Sequence, residues 1–315
     1  VAYENLEDLV EAVRAGRPRA VGRMISLVEN ESPALREAMR ALAPSTGRAQ
    51  VIGLTGSPGV GKSTTTTALV AALRARGQRV GVLAVDPSSP YSGGALLGDR
   101  VRMQAHALDG EVFIRSMATR GHLGGLSVAA PQALRVFDAA GCDTVVVETV
   151  GVGQSEVEIV DAADTTVVLL APGMGDGIQA AKAGILEIGD VFVVNKSDRD
   201  GAQALIRELR NMIALGDYSG HRWKPPIVPT VASQGQGIDD LLAALDRHRA
   251  AGEQTGEWQR RRLRRARAEV EALALAMVRA TFTLGGADGV EALAEAVRDG
   301  QLDPYTAADR VVADR

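Results

Sequence analysis

The segment GSPGVGKS, Gly56 to Ser63, limits what this chain can fold into more than any other stretch. It matches the pattern GxxxxGK[ST], follows the β-branched run VIGLT, and leads directly into the helix-forming stretch TTTTALVAALRARG. Strand, glycine-rich turn and helix in that order make a cradle for a row of phosphates. Glycines at 56, 59 and 61 let backbone N–H groups turn inward, and the helix adds the positive end of its dipole. Ser57, Pro58, Val60 and Thr64 complete the loop and its exit. Lys62 is expected to contact the outer phosphates, and the Ser63 hydroxyl to ligate magnesium.

A phosphate loop of this kind needs a parallel sheet beneath it, and the sequence supplies one. VIGLT, VGVLAVD, VFIRS, TVVVET, TTVVLLA, VFVVNK and IVPTVA are short runs, apolar on both faces and separated by helical stretches. They suit the buried strands of a doubly wound, mostly parallel α/β domain, a P-loop domain expected over 48–250. Strand order is not readable. Residues 1–47 read as a helical extension, with Leu6, Leu9, Val10 and Val13 on one face and Val21, Met24, Ile25 and Val28 on another. Ser32 followed by Pro33 looks like a helix start ahead of Leu35, Met39 and Leu42, and APSTGRAQ, 43–50, like a linker.

Residues 251–315 turn helical, with a long Arg-, Ala- and Leu-rich stretch and one or two shorter helices after it. Leu263, Ala266, Val270, Leu273, Met277 and Ala280 alternate spacings of three and four, a narrow seam like that of paired helices. The arginines of 260–267 read as the solvated face beside that seam, with an anion patch as the alternative.

Partners are bounded by charge. Thirty-five Lys and Arg against 39 Asp and Glu give a net charge of −4, and aromatics are 3% of the chain. Neither a basic field nor stacking platforms are there for nucleic acid. The opening VAYENLEDLVEAV is acidic where a secretory leader is basic, and no apolar run approaches the ~18 residues of a membrane span. The lone Cys142 and four scattered histidines fit a reducing compartment, so a cytoplasmic protein with no membrane partner is expected.

Acids at strand ends are the candidates for the metal. Asp86 ends VGVLAVD, and Glu148 opens ETVG, where it is placed to hold magnesium through water while the Gly151 N–H meets the terminal phosphate. Asp99, in GGALLGDRVRM, is a third candidate, with a surface acid as the competing reading. The base is read from NKSD, 195–198. Guanine presents donors on N1 and N2 to which Asp198 offers two acceptors; adenine offers that carboxylate an unprotonated N1 and is rejected by penalty. Asn195 is expected to tie this loop to the phosphate loop, and the Lys196 stem to lie along the base. At Val231, Ala232 and Ser233 a backbone N–H is placed to meet the guanine carbonyl. GTP and GDP are the expected ligands.

GSPGVGKST, DPSSPYSGGALLGDRVRM, ETVGVGQSE, PGMGDGIQAAKAG and NKSD together resemble the MeaB, ArgK and MMAA family of GTPases, chaperones of adenosylcobalamin-dependent methylmalonyl-CoA mutase. The resemblance runs in order from about residue 20 to 250, with DPYTAAD similar to the family's C-terminal element. It implies a homodimer joined through C-terminal helical arms, and magnesium held by Ser63 with Asp86, Asp99 and Glu148. It also implies mobile loops around Asp99, around ETVGVGQSE and around 172–184, where Asp176 and Lys182 match a functional pair. The chain departs from the family at Val231-Ala232, where a Ser-Ala pair is usual. The implied task is to gate adenosylcobalamin delivery to the mutase and to protect or rescue it, timed by GTP hydrolysis. No arginine finger stands out, and the nearest glutamine to Gly151 is Gln154, so turnover is expected to be slow alone and faster with the mutase. Adenosylcobalamin is assigned to the partner, because the nearest approach to a DxHxxG signature, Asp246 to Gly252, has its glycine one residue late and reads as helix.

Two other readings compete. A kinase of an amino-acid transport system usually takes adenine, against NKSD. A nickel-type metallochaperone GTPase favours Cys and His ligands close together, whereas Cys142 in AAGCDTVVV reads as a buried, inert thiol.

Overall fold

In the computed structural model the described residues are 5–87, 104–106, 108–119, 125–149, 162–173, 188–216, 223–284 and 287–313. Seven strands, β1 (Gln50–Thr55), β2 (Val80–Pro87), β3 (Val112–Thr119), β4 (Thr144–Thr149), β5 (Thr165–Leu170), β6 (Val191–Val194) and β7 (Ile227–Pro229), form one parallel sheet. Their order is β3-β2-β4-β1-β5-β6-β7. β1 lies between β4 and β5, where the winding direction reverses. The carboxyl ends of strands at such a point are where open α/β sheets take their ligands.

The expected runs became strands because they are apolar on both faces, and period-two alternation deals their side chains to two helical layers. Val145 and Val147 join the core made with α1 (Leu6–Arg14), α2 (Pro18–Glu29), α3 (Leu35–Leu42) and the helix that follows β3, while Val146 faces the opposite layer. Numbering in chain order, α4 (Lys62–Ala75) follows the phosphate loop and α5 (Gly125–Ala139) follows β3. Then come α6 (Ala202–Ala214) and α7 (Ile238–Thr255). Leu69, Val70 and Leu73 of α4 and Leu241, Leu242 and Leu245 of α7 cover one face, where Leu54, Val167 and Leu169 point. On the other face Val168 and Leu170 pack with Leu205, Ile206 and Leu209 of α6.

The N-terminal helices belong to this core: Val13, Met24, Ile25 and Leu42 are fully buried in it. α3 begins at Leu35, later than the Ser32-Pro33 start expected, with the Ser32 hydroxyl accepting from the Ala34 N–H. The 43–50 segment is a pinned corner: the Asp138 carboxylate accepts from the N–H groups of Gly47, Arg48 and Ala49. IVPTVA is strand only through Pro229, and 232–234 turn as a short 3₁₀ helix.

One residue, Gly256 in the left-handed region, separates α7 from α8 (Glu257–Leu284). The compact first unit extends to Arg265, so the expected boundary at 250/251 falls inside α7. Arginines 261, 262 and 265 share one helix face and point at two buried aspartates at the amino ends of β5 and β6. Arg261 bonds both oxygens of Asp190, at 2.5 and 3.0 Å. Arg262 bonds Asp164 and the carbonyls of Gly47 and Ala49, and Arg265 reaches Asp164 and the Ala162 carbonyl. Trp258 lies buried beneath Arg262, 5.2 Å from guanidinium to ring centroid. These arginines are therefore neither solvated nor a patch; Arg260, Arg264 and Arg267 carry the solvated role, paired with Glu257 and Glu271.

His248 is buried inside α7 rather than at a helix end. Its Nδ1 lies 2.9 Å from the Thr165 hydroxyl and its Nε2 3.3 Å from Asp190. Burial pushes the Asp190 carboxyl up, but bonds from His248 and Arg261 outweigh it and bring it down to about 2. Removing one partner from a buried charge pair of this kind costs about 3–5 kcal/mol.

The second unit, 266–315, contains the rest of α8, α9 (Ala287–Arg298) and α10 (Pro304–Ala313), the last two packed on each other. α10 starts where the residues dictate: Asp303 caps the N–H groups of Tyr305 and Thr306, and Pro304 opens the first turn. Among the described residues no helix is long and apolar enough to cross a membrane.

Candidate functional site

The phosphate loop leaves β1 at Thr55 and enters α4 at Lys62. Its glycines are demanded by the backbone at two positions. Gly56 has φ +145°, and a Cβ there would stand 2.3 Å from the Leu169 carbonyl oxygen. Gly61 has φ +100°, and a Cβ would stand 2.4 Å from Asn195 Nδ2. Gly59 also sits in the left-handed region. Lys62 is buried and folded back along the loop, its Nζ 2.5 Å from the Gly56 carbonyl and 3.2 Å from that of Ser57. Val60 is buried, while Pro58, Gly59 and Thr64 are exposed.

Asn195 joins three segments, as its place at the end of β6 led one to expect. Its Nδ2 donates to the Val60 carbonyl at 2.8 Å, and its Oδ1 accepts from the Thr230 hydroxyl and the Ala232 N–H, both at 3.1 Å. Lys196, held in the left-handed region at φ +56°, donates to the Gly59 carbonyl at 2.7 Å. Asp198 is exposed at the same strand end. Val231 and Ala232 have their N–H groups engaged, with the Gln236 carbonyl and with Asn195 respectively, while Ser233 is exposed. A cavity of about 500 Å³ opens between these parts, lined by Ser63, Thr64, Thr67, His106, Ala232 and Ser233. It brings the end of the phosphate loop and the loop after β7 to one space. His106, which the motifs do not mark, lies 3.0 Å from the Thr67 carbonyl through Nε2.

At the carboxyl end of β4, Glu148 is buried to 1% exposure. The Ser63 hydroxyl donates to its Oε1 at 2.6 Å and the Thr66 hydroxyl to its Oε2 at 2.8 Å. β2 pairs Ala84 with Glu148, so Asp86, two residues on, stands at the end of the neighbouring strand. A buried carboxylate beside the loop serine is a hard, all-oxygen donor set, and it fits magnesium. The side chain of Asp86 lies outside the described set, as do Asp99, Gly151, Gln154, Asp176 and Lys182. Thr66 was missed in the sequence, although its spacing of three from Ser63 puts both on one helix face.

Comparison with known proteins agrees with this geometry. The family model of the methylmalonyl-CoA mutase-associated GTPase MeaB matches residues 21–285. A putative GTPase of Pyrococcus horikoshii is 45% identical over 309 residues, covering 98% of this chain and 97% of the relative. The GTPase ArgK of Escherichia coli is 36% identical over 247 residues, covering 76% of this chain and 75% of its own. The mitochondrial methylmalonic aciduria type A homolog of Caenorhabditis elegans is 34% identical over 282 residues, covering 83% and 71%. Among solved structures, a crystal structure described as an LAO/AO transport system kinase superposes with a TM-score of 0.73 at 26% identity, covering 99% of this chain and 98% of that one.

Proposed function

This chain belongs to the MeaB family of GTPases, and we propose that it is a GTP-hydrolysing chaperone that gates adenosylcobalamin loading of methylmalonyl-CoA mutase and protects or rescues that enzyme. The observation that carries the reading is the family match, which spans the phosphate loop, ETVG and NKSD in one stretch of 21–285. It favours mutase service over nickel delivery or phosphorylation of a transport component.

In this reading GTP lies with its phosphates on residues 56–64 and its base at 195–198. Lys62 exchanges the Gly56 and Ser57 carbonyls for phosphate oxygens, a short swing because its ammonium already lies along the loop. Asp198 accepts from guanine N1 and N2, and with the Val231 and Ala232 N–H groups engaged, the guanine carbonyl falls to Ser233. Ser63, Glu148, Asp86 and Asp99 hold magnesium, which when bound neutralises charge developing on the phosphates. Gly151, Gln154, Asp176 and Lys182 are assigned, by resemblance, the response to the terminal phosphate and to the partner. Adenosylcobalamin stays with the mutase. The chain works in the cytoplasm as a homodimer through α8, where Val270 and Met277 present apolar side chains at 65% and 53% exposure.

The test is GTP turnover by the purified protein, alone and with an adenosylcobalamin-dependent methylmalonyl-CoA mutase, with ATP as control. Slow turnover of GTP that accelerates only with the mutase is the expected result. Equal turnover of ATP removes the base reading, and neither stimulation nor a complex on a sizing column removes the mutase.

A further inference from the structure

α4 opens with four threonines after Ser63, and their hydroxyls do not behave alike. Thr65 and Thr67 donate to carbonyls one turn back, Gly61 and Ser63, each at 2.9 Å. That is what a threonine inside a helix ordinarily does. Thr66, with no exposed surface, lies 2.8 Å from Glu148 Oε2 and 3.1 Å from the Lys62 carbonyl. It has one proton to give, and the carboxylate is both the nearer and the stronger acceptor.

Glu148 is thus bonded through one oxygen to Ser63 and through the other to Thr66. The two hydroxyls differ in what they are free to do. Ser63 stands at the mouth of the cradle and is a metal ligand in the reading above, so its lone pairs and its orientation answer to the ion as well as to the carboxylate. Thr66 is one turn deeper and buried, with no such second task. We propose that Thr66 is a positioning residue for the magnesium site. It holds the Glu148 carboxylate in place through Oε2, independently of how Ser63 would turn toward a magnesium ion. This rests on the GTPase reading and assigns the residue that keeps a glutamate in register at that strand end. A glutamate has one more rotatable bond than an aspartate, and holding it still takes a second anchor.

The test is release of a fluorescent GDP analogue as a function of magnesium, in wild type, Thr66→Val and Thr66→Ser. Valine keeps the volume of the buried side chain and removes the hydroxyl; serine keeps the hydroxyl. In Thr66→Val the magnesium concentration that half-maximally slows release is expected to rise about tenfold, as for losing one hydrogen bond to a charged group. Thr66→Ser is expected to restore it, and release in EDTA to be the same in all three. Thermal unfolding reports whether each variant is folded, and Thr66→Ala supplies the same readings if the valine variant is not. A wild-type magnesium midpoint in Thr66→Val overturns the proposal. So does equal weakening of analogue binding in EDTA and in magnesium, which is what a merely structural threonine produces. If wild type binds no GDP analogue, the GTPase reading falls and Thr66 with it. If it binds and only the magnesium response of the variant is unchanged, Thr66 alone is removed.

Discussion

Replacing Asn195 by alanine should loosen the nucleotide-binding loops as well as the fold. The side chain is 3% exposed and makes three bonds: to the Val60 carbonyl, from the Thr230 hydroxyl and from the Ala232 N–H. Each such neutral bond is worth about 1 kcal/mol net, and a buried group left unpaired costs about 1–3 kcal/mol, so the deletion totals roughly 4–6 kcal/mol. The bonds join the phosphate loop, the end of β6 and the turn after β7, segments whose mutual order the nucleotide itself would have to restore on binding. Part of the loss therefore appears as affinity, and GDP binding should weaken by about 10- to 100-fold, roughly 1.4–2.7 kcal/mol. Asn195→Asp separates the contributions, since it keeps both acceptor bonds and sets a carboxylate against the Val60 carbonyl. It should cost thermal stability as well as GDP affinity, because a carboxylate at a 3% exposed position would face a carbonyl oxygen. Isothermal titration with GDP beside thermal unfolding of the nucleotide-free protein reads both quantities. Lowered stability with wild-type GDP affinity in both variants would refute the reasoning and make Asn195 a structural residue only.

Gly56→Ala should abolish GDP binding and lower the melting temperature, because its Cβ would stand 2.3 Å from a backbone oxygen of β5 at φ +145°; a variant that binds GDP normally would show that the loop has room to shift. Asp190→Asn addresses pH: a carboxylate held down to about 2 contributes stability above the unfolded value of 3.8 and loses it as pH falls toward 2. That contribution is on the order of 2 kcal/mol. Urea unfolding at pH 7 and pH 3 should show Asp190→Asn with the shallower acid loss, and identical pH dependence would disprove the pairing.

The sheet and the cradle were legible because their signals are local. Short β-branched runs such as TTVVLLA suit buried strands, and GSPGVGKS between strand and helix carries a specific pattern of glycines. Asn195 was legible through its motif, NKSD at the end of a buried run, although the loop it meets follows β1 and β5 lies between that strand and β6. Strand order was not, because β1 meets β4 and β5 through pairings that no interval in the sequence specifies. Thr66 hid in a run of identical residues where only tertiary packing separates the third threonine from its neighbours. The arginines of 260–267 were misread because their composition is that of an exposed face. Asp164 and Asp190, which draw three of them inward, lie far away in sequence and have no motif of their own.

The two ends of the sheet are bonded by different kinds of chemistry, and that difference separates a site from a support. At the amino ends of β5 and β6, fixed opposite charges meet in buried, multiply bonded pairs: Asp164 with Arg262 and Arg265, Asp190 with Arg261. Removing the aspartate of such a group strands the positive charge that faces it. At the carboxyl ends the bonds run to groups that a ligand replaces in kind. The Lys62 ammonium rests on carbonyl oxygens where phosphate oxygens would serve better, and the Ser63 hydroxyl rests on a carboxylate that keeps a second bond to Thr66. Each donor is already oriented, so taking up an anion requires an exchange of acceptors and little rearrangement of the loop, which is the condition for preorganised electrostatic binding. A sheet held by fixed charges at one end and by exchangeable bonds at the other favours the exchangeable end for a ligand, on a ground separate from the motifs.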